Sequence, residues 1–146
     1  MSRAPQEILA AARIIAVVGA SRDPDKDAGA VPAVMQSHGF RIIPVNPYAD
    51  ELLGEPVYRS LADIPEHVDL VDVFRPAEEA PGVARQAAAI GAGALWLQQD
   101  IVSAEARAIA EAAGMDYVEN LCIAVIRALH QLEGFSRSGG TPPRRG

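Results

Sequence analysis

Arg13-Ile14-Ile15-Ala16-Val17-Val18-Gly19-Ala20-Ser21-Arg22 is the stretch on which the reading of the whole chain turns. Ile14 to Val18 are all apolar and mostly β-branched, which suits a strand covered on both faces. Gly19 breaks the run, and the small, polar, basic turn that follows can present backbone N–H groups to an anion. A buried strand feeding a glycine turn and then a helix is a common support for nucleotide phosphates.

On the amino-terminal side, the alanine-rich segment from Ala4 to Ala12, with Pro5 near its start, reads as a short helix. On the other side, residues 21–27 form a polar loop. Val31, Val34, Met35 and His38 then recur at helical spacing, predicting an inward face on a helix ended by Gly39. Phe40 to Val45 is a second strand, closed by Asn46-Pro47.

Residues 48–67 carry Gly54, Pro56 and Pro65 and read as a surface connection, with a short strand near Val57-Tyr58 and a helical turn over Ser60 to Ile64. Val68 to Phe74 is a strand stopped by Arg75-Pro76. Val83, Ala87 and Ile90 stripe a helix ended by Gly91. Gly93 to Gln98 is the next strand, and Ser103 caps a helix carrying Ala106, Ile109, Ala110 and Ala113 on one face and ended by Gly114. Met115 to Val118 makes the last strand, and Leu121 to Leu132, apolar on most sides, the final helix.

A helix ending in glycine at 39, 91 and 114, followed within two residues by an apolar strand, predicts right-handed βαβ crossovers and a mostly parallel sheet. The expected fold is α/β: a Rossmann-like, doubly wound, three-layer α/β/α domain over residues 1–135. The Ser-, Gly-, Pro- and Arg-rich tail, 136–146, is expected to be disordered. Ligands of such sheets bind beyond the carboxyl ends of the strands, where the strand order reverses.

The formal charge of −6 over 146 residues argues against a general nucleic-acid binder. No segment has the pattern of a signal peptide, and no apolar run approaches the roughly 20 residues that span a bilayer. A cytoplasmic protein with no membrane partner is the expectation. The single cysteine, Cys122, has no intrachain partner; a buried small hydrophobe is the stronger reading, a helix-activated thiolate the alternative. His38, His67 and His130 lack ligand spacing, so no metal site is expected. Asp69 and Asp72 point to opposite faces of a strand and read as structural, and Trp96 reads as a core residue.

The dinucleotide fingerprint asks for three glycines. Here its positions hold Gly19, Ser21 and Pro24, and the second strand ends in Asn46-Pro47 rather than an acid, with no nearby arginine to suggest NADP. A Walker loop is absent, since Lys26 lies seven residues past Gly19 with no second glycine or adjoining hydroxyl. What remains is a turn with backbone donors, the Ser21 hydroxyl and two cations, Arg22 and Lys26. That set suits a phosphate that is bound and left intact.

Four segments in order, Val17-Val18-Gly19-Ala20-Ser21, Ile43-Pro44-Val45-Asn46-Pro47, Val57-Tyr58-Arg59-Ser60-Leu61 and Val68 through Arg75, give the chain a family likeness. Over about residues 8 to 130 it resembles the stand-alone CoA-binding domain proteins, which are similar to the amino-terminal domain of the succinyl-CoA synthetase α subunit and to a domain of ADP-forming acyl-CoA synthetases. The resemblance implies a coenzyme A site. Gly19, Ala20, Ser21 and Arg22 would meet the pyrophosphate, with Lys26 as a further cation. Asn46 and Pro47 would border the adenosine and its ribose phosphate. Phe74, Arg75 and Pro76 would flank the adenine and meet a phosphate, and Gln98 and Gln99 would lie along the pantetheine path. Asp27-Ala28-Gly29 departs from the family's proline and bulkier residues and implies a more open or less complementary mouth.

The resulting expectation is a protein that binds CoA or an acyl-CoA through its ADP and pyrophosphate moiety, without catalytic machinery of its own. An NAD(P)-dependent oxidoreductase and a regulatory module with a vestigial nucleotide site are the alternatives. The related synthetases keep their ATP-handling machinery in other domains, so acyl transfer would require a protein partner; a homodimer stays open.

Overall fold

In the computed structural model, which describes residues 2–135, the opening apolar run is an inner strand of a five-stranded sheet. In chain order the elements are α1 (Pro5–Ala11), β1 (Ile14–Val18), α2 (Asp27–Ser37), β2 (Arg41–Val45), a hairpin of β3 (Glu51–Leu52) and β4 (Glu55–Pro56), and β5 (Leu70–Val73). They continue with α3 (Ala80–Ala89), β6 (Ala94–Leu97), α4 (Ala104–Ala112), β7 (Asp116–Val118) and α5 (Ile123–His130). The sheet runs β2-β1-β5-β6-β7, and every neighbouring pair is parallel. The order reverses between β1 and β5, the switch point of a doubly wound, Rossmann-like fold.

The period-2 alternation of the strands sorts the apolar side chains into two layers. Ile15 and Val17 of β1, Leu70 of β5 and Trp96 of β6 pack with Ile8 and Leu9 of α1, Met35 of α2, and Ile123 and Ile126 of α5. Ala16, Val71, Val73, Leu95 and Leu97 face the other way, onto Val83, Ala84 and Ala87 of α3 and Ala106 and Ala110 of α4. Each Ile or Leu withdrawn from water contributes about 1.5–3 kcal/mol, so these layers hold the sheet between the helices.

Several sequence expectations are corrected here. On α2 the buried residues are Gly29, Val31, Pro32 and Met35, while Val34 is 42% exposed. Two small or compact residues let that helix lie close, and the buried stripe shifts onto them. Ala113 is exposed, and α4 buries only Ala106 and Ala110. The last helix begins only after Cys122; it buries Ile123 and Ile126 and turns Val125 and Leu129 outward. Val57-Tyr58 forms a single parallel bridge, Val45 to Tyr58, and the hairpin before it was not legible as strand. The tail, 136–146, lies outside the described residues. Among the described residues no helix is long and apolar enough to cross a membrane.

Candidate functional site

The carboxyl ends of β1, β2 and β5 converge on a cleft of about 840 Å³, set at the switch point of the sheet. Its floor is the turn after β1. Gly19 adopts φ +90°, and a Cβ there would stand 2.7 Å from Arg75 Cδ and 3.0 Å from the Phe74 carbonyl. Only glycine lets the Arg75 stem cross so close.

The rest of the turn is folded against the start of α2. A Cβ on Gly29 would lie 2.2 Å from the Asp23 carbonyl oxygen, so this glycine takes the close-packing role that Pro24 cannot fill in the dinucleotide pattern. Pro32, inside α2, has no N–H to give to the Ala28 carbonyl four residues earlier. The amide of Ser21 donates to that carbonyl instead, at 3.1 Å, which ties the turn to the helix. The segment Asp27-Ala28-Gly29 is thereby fastened against the turn.

The same bonds decide which donors are left. The Gly19 amide donates to Val45 O, that of Ser21 to Ala28 O, and that of Asp23 to Ser21 Oγ. The amides of Ala20 and Arg22 make no hydrogen bond among the described residues, and both residues line the cleft. Ala28, in the first turn of α2, also lines it, so the positive end of that helix faces the same space. Arg22 and Lys26 are exposed and make no ion pair among the described residues.

Asn46, at the end of β2, is consumed by the loop it sits in. Its Nδ2 donates to Ala20 O at 2.8 Å, and its Oδ1 accepts from the amides of Tyr48 and Ala49. It borders the cleft but clamps the β1 and β2 exits together. On the facing wall Arg75 makes a bidentate pair with Glu79, Nε to Oε1 at 2.9 Å and Nη2 to Oε2 at 2.7 Å. That bond holds the Glu79 carboxyl below, and the Arg75 guanidinium above, its ordinary range.

Of the residues expected at the site, Gly19, Ala20, Ser21, Arg22, Lys26, Asn46, Pro47, Phe74 and Arg75 line this one cleft. Pro76, Gln98 and Gln99 do not. Gln98 is only 4% exposed: its Nε2 donates to Asp72 Oδ1 and its Oε1 accepts from the Ile123 amide at the start of α5. The expectation of a pantetheine contact at Gln98 is thus replaced by an internal polar link, because β6 ends under α5 rather than beside the cleft. Gln99 and Pro76 are exposed outside it.

Asp72, fully buried, has its carboxyl pushed up to about 8 by burial, against the opposing hydrogen bond from Gln98. Asp69 lies ahead of the strand, accepting from the amides of Arg13 and Ile14. Trp96 is fully buried with its Nε1 donating to Leu121 O, and Cys122 is half-buried against the core.

Among the cleft residues with no role in the sequence reading are Tyr48, 89% exposed on the lip, Glu79 and Arg59. The Val45 to Tyr58 bridge brings Arg59 beside Asn46, thirteen residues away in sequence. The alternation Val57-Tyr58-Arg59 was the available signal, since a bridged Tyr58 sends its neighbour to the edge.

A family model described as CoA binding domain matches residues 13–128. The uncharacterized protein YneT of Bacillus subtilis is 41% identical over 124 residues, covering 85% of this chain and 92% of that protein. A solved structure, a hypothetical protein from Pyrococcus horikoshii OT3, has 35% identity and a TM-score of 0.83 over 86% of this chain and 88% of the other. The ADP-forming acetate–CoA ligase II of Archaeoglobus fulgidus is 38% identical over 79 residues, 53% of this chain, which spans only 12% of the ligase. The family match extends from β1 to α5 and includes every strand of the sheet, so the chain belongs to the CoA binding domain family.

Proposed function

We propose that this protein binds coenzyme A or an acyl-CoA through the ADP and pyrophosphate moiety, as a binding module without catalytic machinery of its own. The observation that carries the reading is the pairing state of the β1 turn. Two backbone amides, the amino-terminal end of α2 and the cations Arg22 and Lys26 converge there with no internal partner among the described residues. Such a set gains its hydrogen bonds and neutralising charge from a pyrophosphate. The Phe74 and Tyr48 rings, both lining the cleft, are placed to cover a base.

The other polar groups of the cleft favour binding over chemistry. The Ser21 oxygen accepts the Asp23 amide and has no general base beside it, and the Glu79 carboxylate is held by Arg75. Acyl transfer would need groups from a protein partner. The single cysteine agrees with a reducing, cytoplasmic setting.

Calorimetric titration with CoA, with NAD⁺ as comparison, tests the reading. Binding of CoA and not of NAD⁺ is expected; no CoA binding at millimolar concentration overturns it. In the Arg22→Ala, Lys26→Ala double variant the affinity should fall at least tenfold, at about 1.5–3 kcal/mol for each charge-assisted bond, with the melting temperature unchanged. Unchanged affinity would move the phosphates elsewhere.

A further inference from the structure

Among the described residues Arg59 is the cation at the exit of β2, the place where doubly wound nucleotide-binding domains tell one ribose from another. An acidic side chain there accepts from free ribose hydroxyls, and an arginine accommodates a phosphate on the ribose. Asn46, which stands at that point in the sequence, has both ends of its amide engaged with Ala20, Tyr48 and Ala49. One Nδ2 hydrogen remains, but the side chain is held in the loop and is neutral, with no charge to offer a phosphate. Arg59 is carried in from the following segment by the bridge of Tyr58 to Val45 and by the Asn46 amide donating to Tyr58 O at 3.0 Å.

The guanidinium is fixed from behind and open in front. Its Nη1 donates to the carbonyls of Ala49 at 3.0 Å and Asn46 at 3.4 Å, and its Nη2 to Asp50 Oδ1 at 2.8 Å. Nε–H and the second Nη2 hydrogen make no bond among the described residues, which leaves one edge of the planar fork for an incoming oxyanion. The Asp50 side chain is 92% exposed, so its pairing is screened and readily exchanged for a phosphate. Ser60 lines the cleft next to it.

We infer that Arg59 reads the 3′-phosphate on the ribose of the bound nucleotide, so that the site selects CoA over nucleotides whose ribose carries no phosphate. The inference rests on the CoA reading above and adds to it the group that sets its specificity. It requires that phosphate recognition be divided: Arg22, Lys26 and the β1 turn hold the pyrophosphate common to many nucleotides, and Arg59 holds the ester that is particular to this one.

The test compares CoA with dephospho-CoA on the intact protein and on two variants, with melting temperature as a check on folding. The wild type should bind CoA at least tenfold more tightly than dephospho-CoA, and Arg59→Ala should abolish that ratio while leaving dephospho-CoA affinity in place. Arg59→Lys, which keeps the charge and loses the fork, should show an intermediate ratio if the alanine variant does not fold. Equal binding of the two ligands by the wild type overturns the inference and leaves the CoA reading standing. A wild-type ratio in either variant also overturns it, making Arg59 a staple of the Ala49 loop. Tighter binding of NADP⁺ than of CoA would assign Arg59 to a 2′-phosphate and overturn it, and failure of every ligand would remove the CoA reading itself.

Discussion

Over β1 and β2 the carboxyl edge of the sheet ends in groups with unspent capacity, whereas over β6 and β7 the same edge is closed by its own side chains. On the first side the Ala20 and Arg22 amides, Arg22, Lys26 and part of Arg59 have no partner among the described residues. On the second, Gln98 joins Asp72 to the Ile123 amide, Trp96 donates to Leu121 O, and Asn120 accepts from the Asp100 amide. Both ends are polar and both follow parallel strands. The difference teaches that polarity at a strand end marks a binding site only when the fold leaves it unpaired, since a satisfied group has nothing to gain from a ligand.

The largest effect expected from this contrast is on the closed side. Asp72 titrates near 3.8 when exposed and near 8 in the fold, so the folded protein binds the extra proton between those values. Stability should therefore fall as pH rises from about 4 to 8, by up to about 1.4 kcal/mol per pH unit, and level off above. Asp72→Asn keeps an acceptor for Gln98 and should lose that slope. Urea unfolding of both proteins at pH 5, 6, 7 and 8 measures it, and parallel slopes would mean that the carboxylate is ionised in the fold.

Next comes the open side. Gly29→Ala forces a Cβ onto the Asp23 carbonyl and should cost about 1–3 kcal/mol in unfolding experiments. It should also weaken CoA binding about tenfold or more, because the loop carrying Arg22 must move. Retained affinity would show that the loop's exact course is immaterial to the ligand.

The smallest effects sharpen the boundary between the two ends. Gln98→Ala strands the Asp72 carboxyl and the Ile123 amide and should cost about 1–3 kcal/mol of stability, with CoA affinity unchanged in calorimetry. A selective loss of CoA affinity would return Gln98 to the ligand path. Gln99→Ala, exposed and away from the cleft, should change neither quantity.

The sequence by itself determined the architecture and one wall of the site. Apolar runs at Ile14–Val18, Ile42–Val45, Leu70–Val73 and Ala94–Leu97, punctuated by helix-ending glycines, are local signals, and local periodicity is enough to specify a doubly wound parallel sheet. Gly19 through Lys26 and Phe74-Arg75 were legible because the ends of strands flanking a switch point meet in any such sheet. Hydrogen-bond ownership was decided only in three dimensions. Whether Asn46 or Gln98 faces a ligand depends on partners 26 residues away, Ala20 for the one and Asp72 for the other. The same holds for Arg59, which reaches the exit of β2 through one bridge between Val45 and Tyr58. Pro32 acts likewise at a distance, freeing the Ala28 carbonyl that fastens Ser21. Composition and spacing fix which groups a chain carries, but a group is available to a ligand only where packing has left it without a partner.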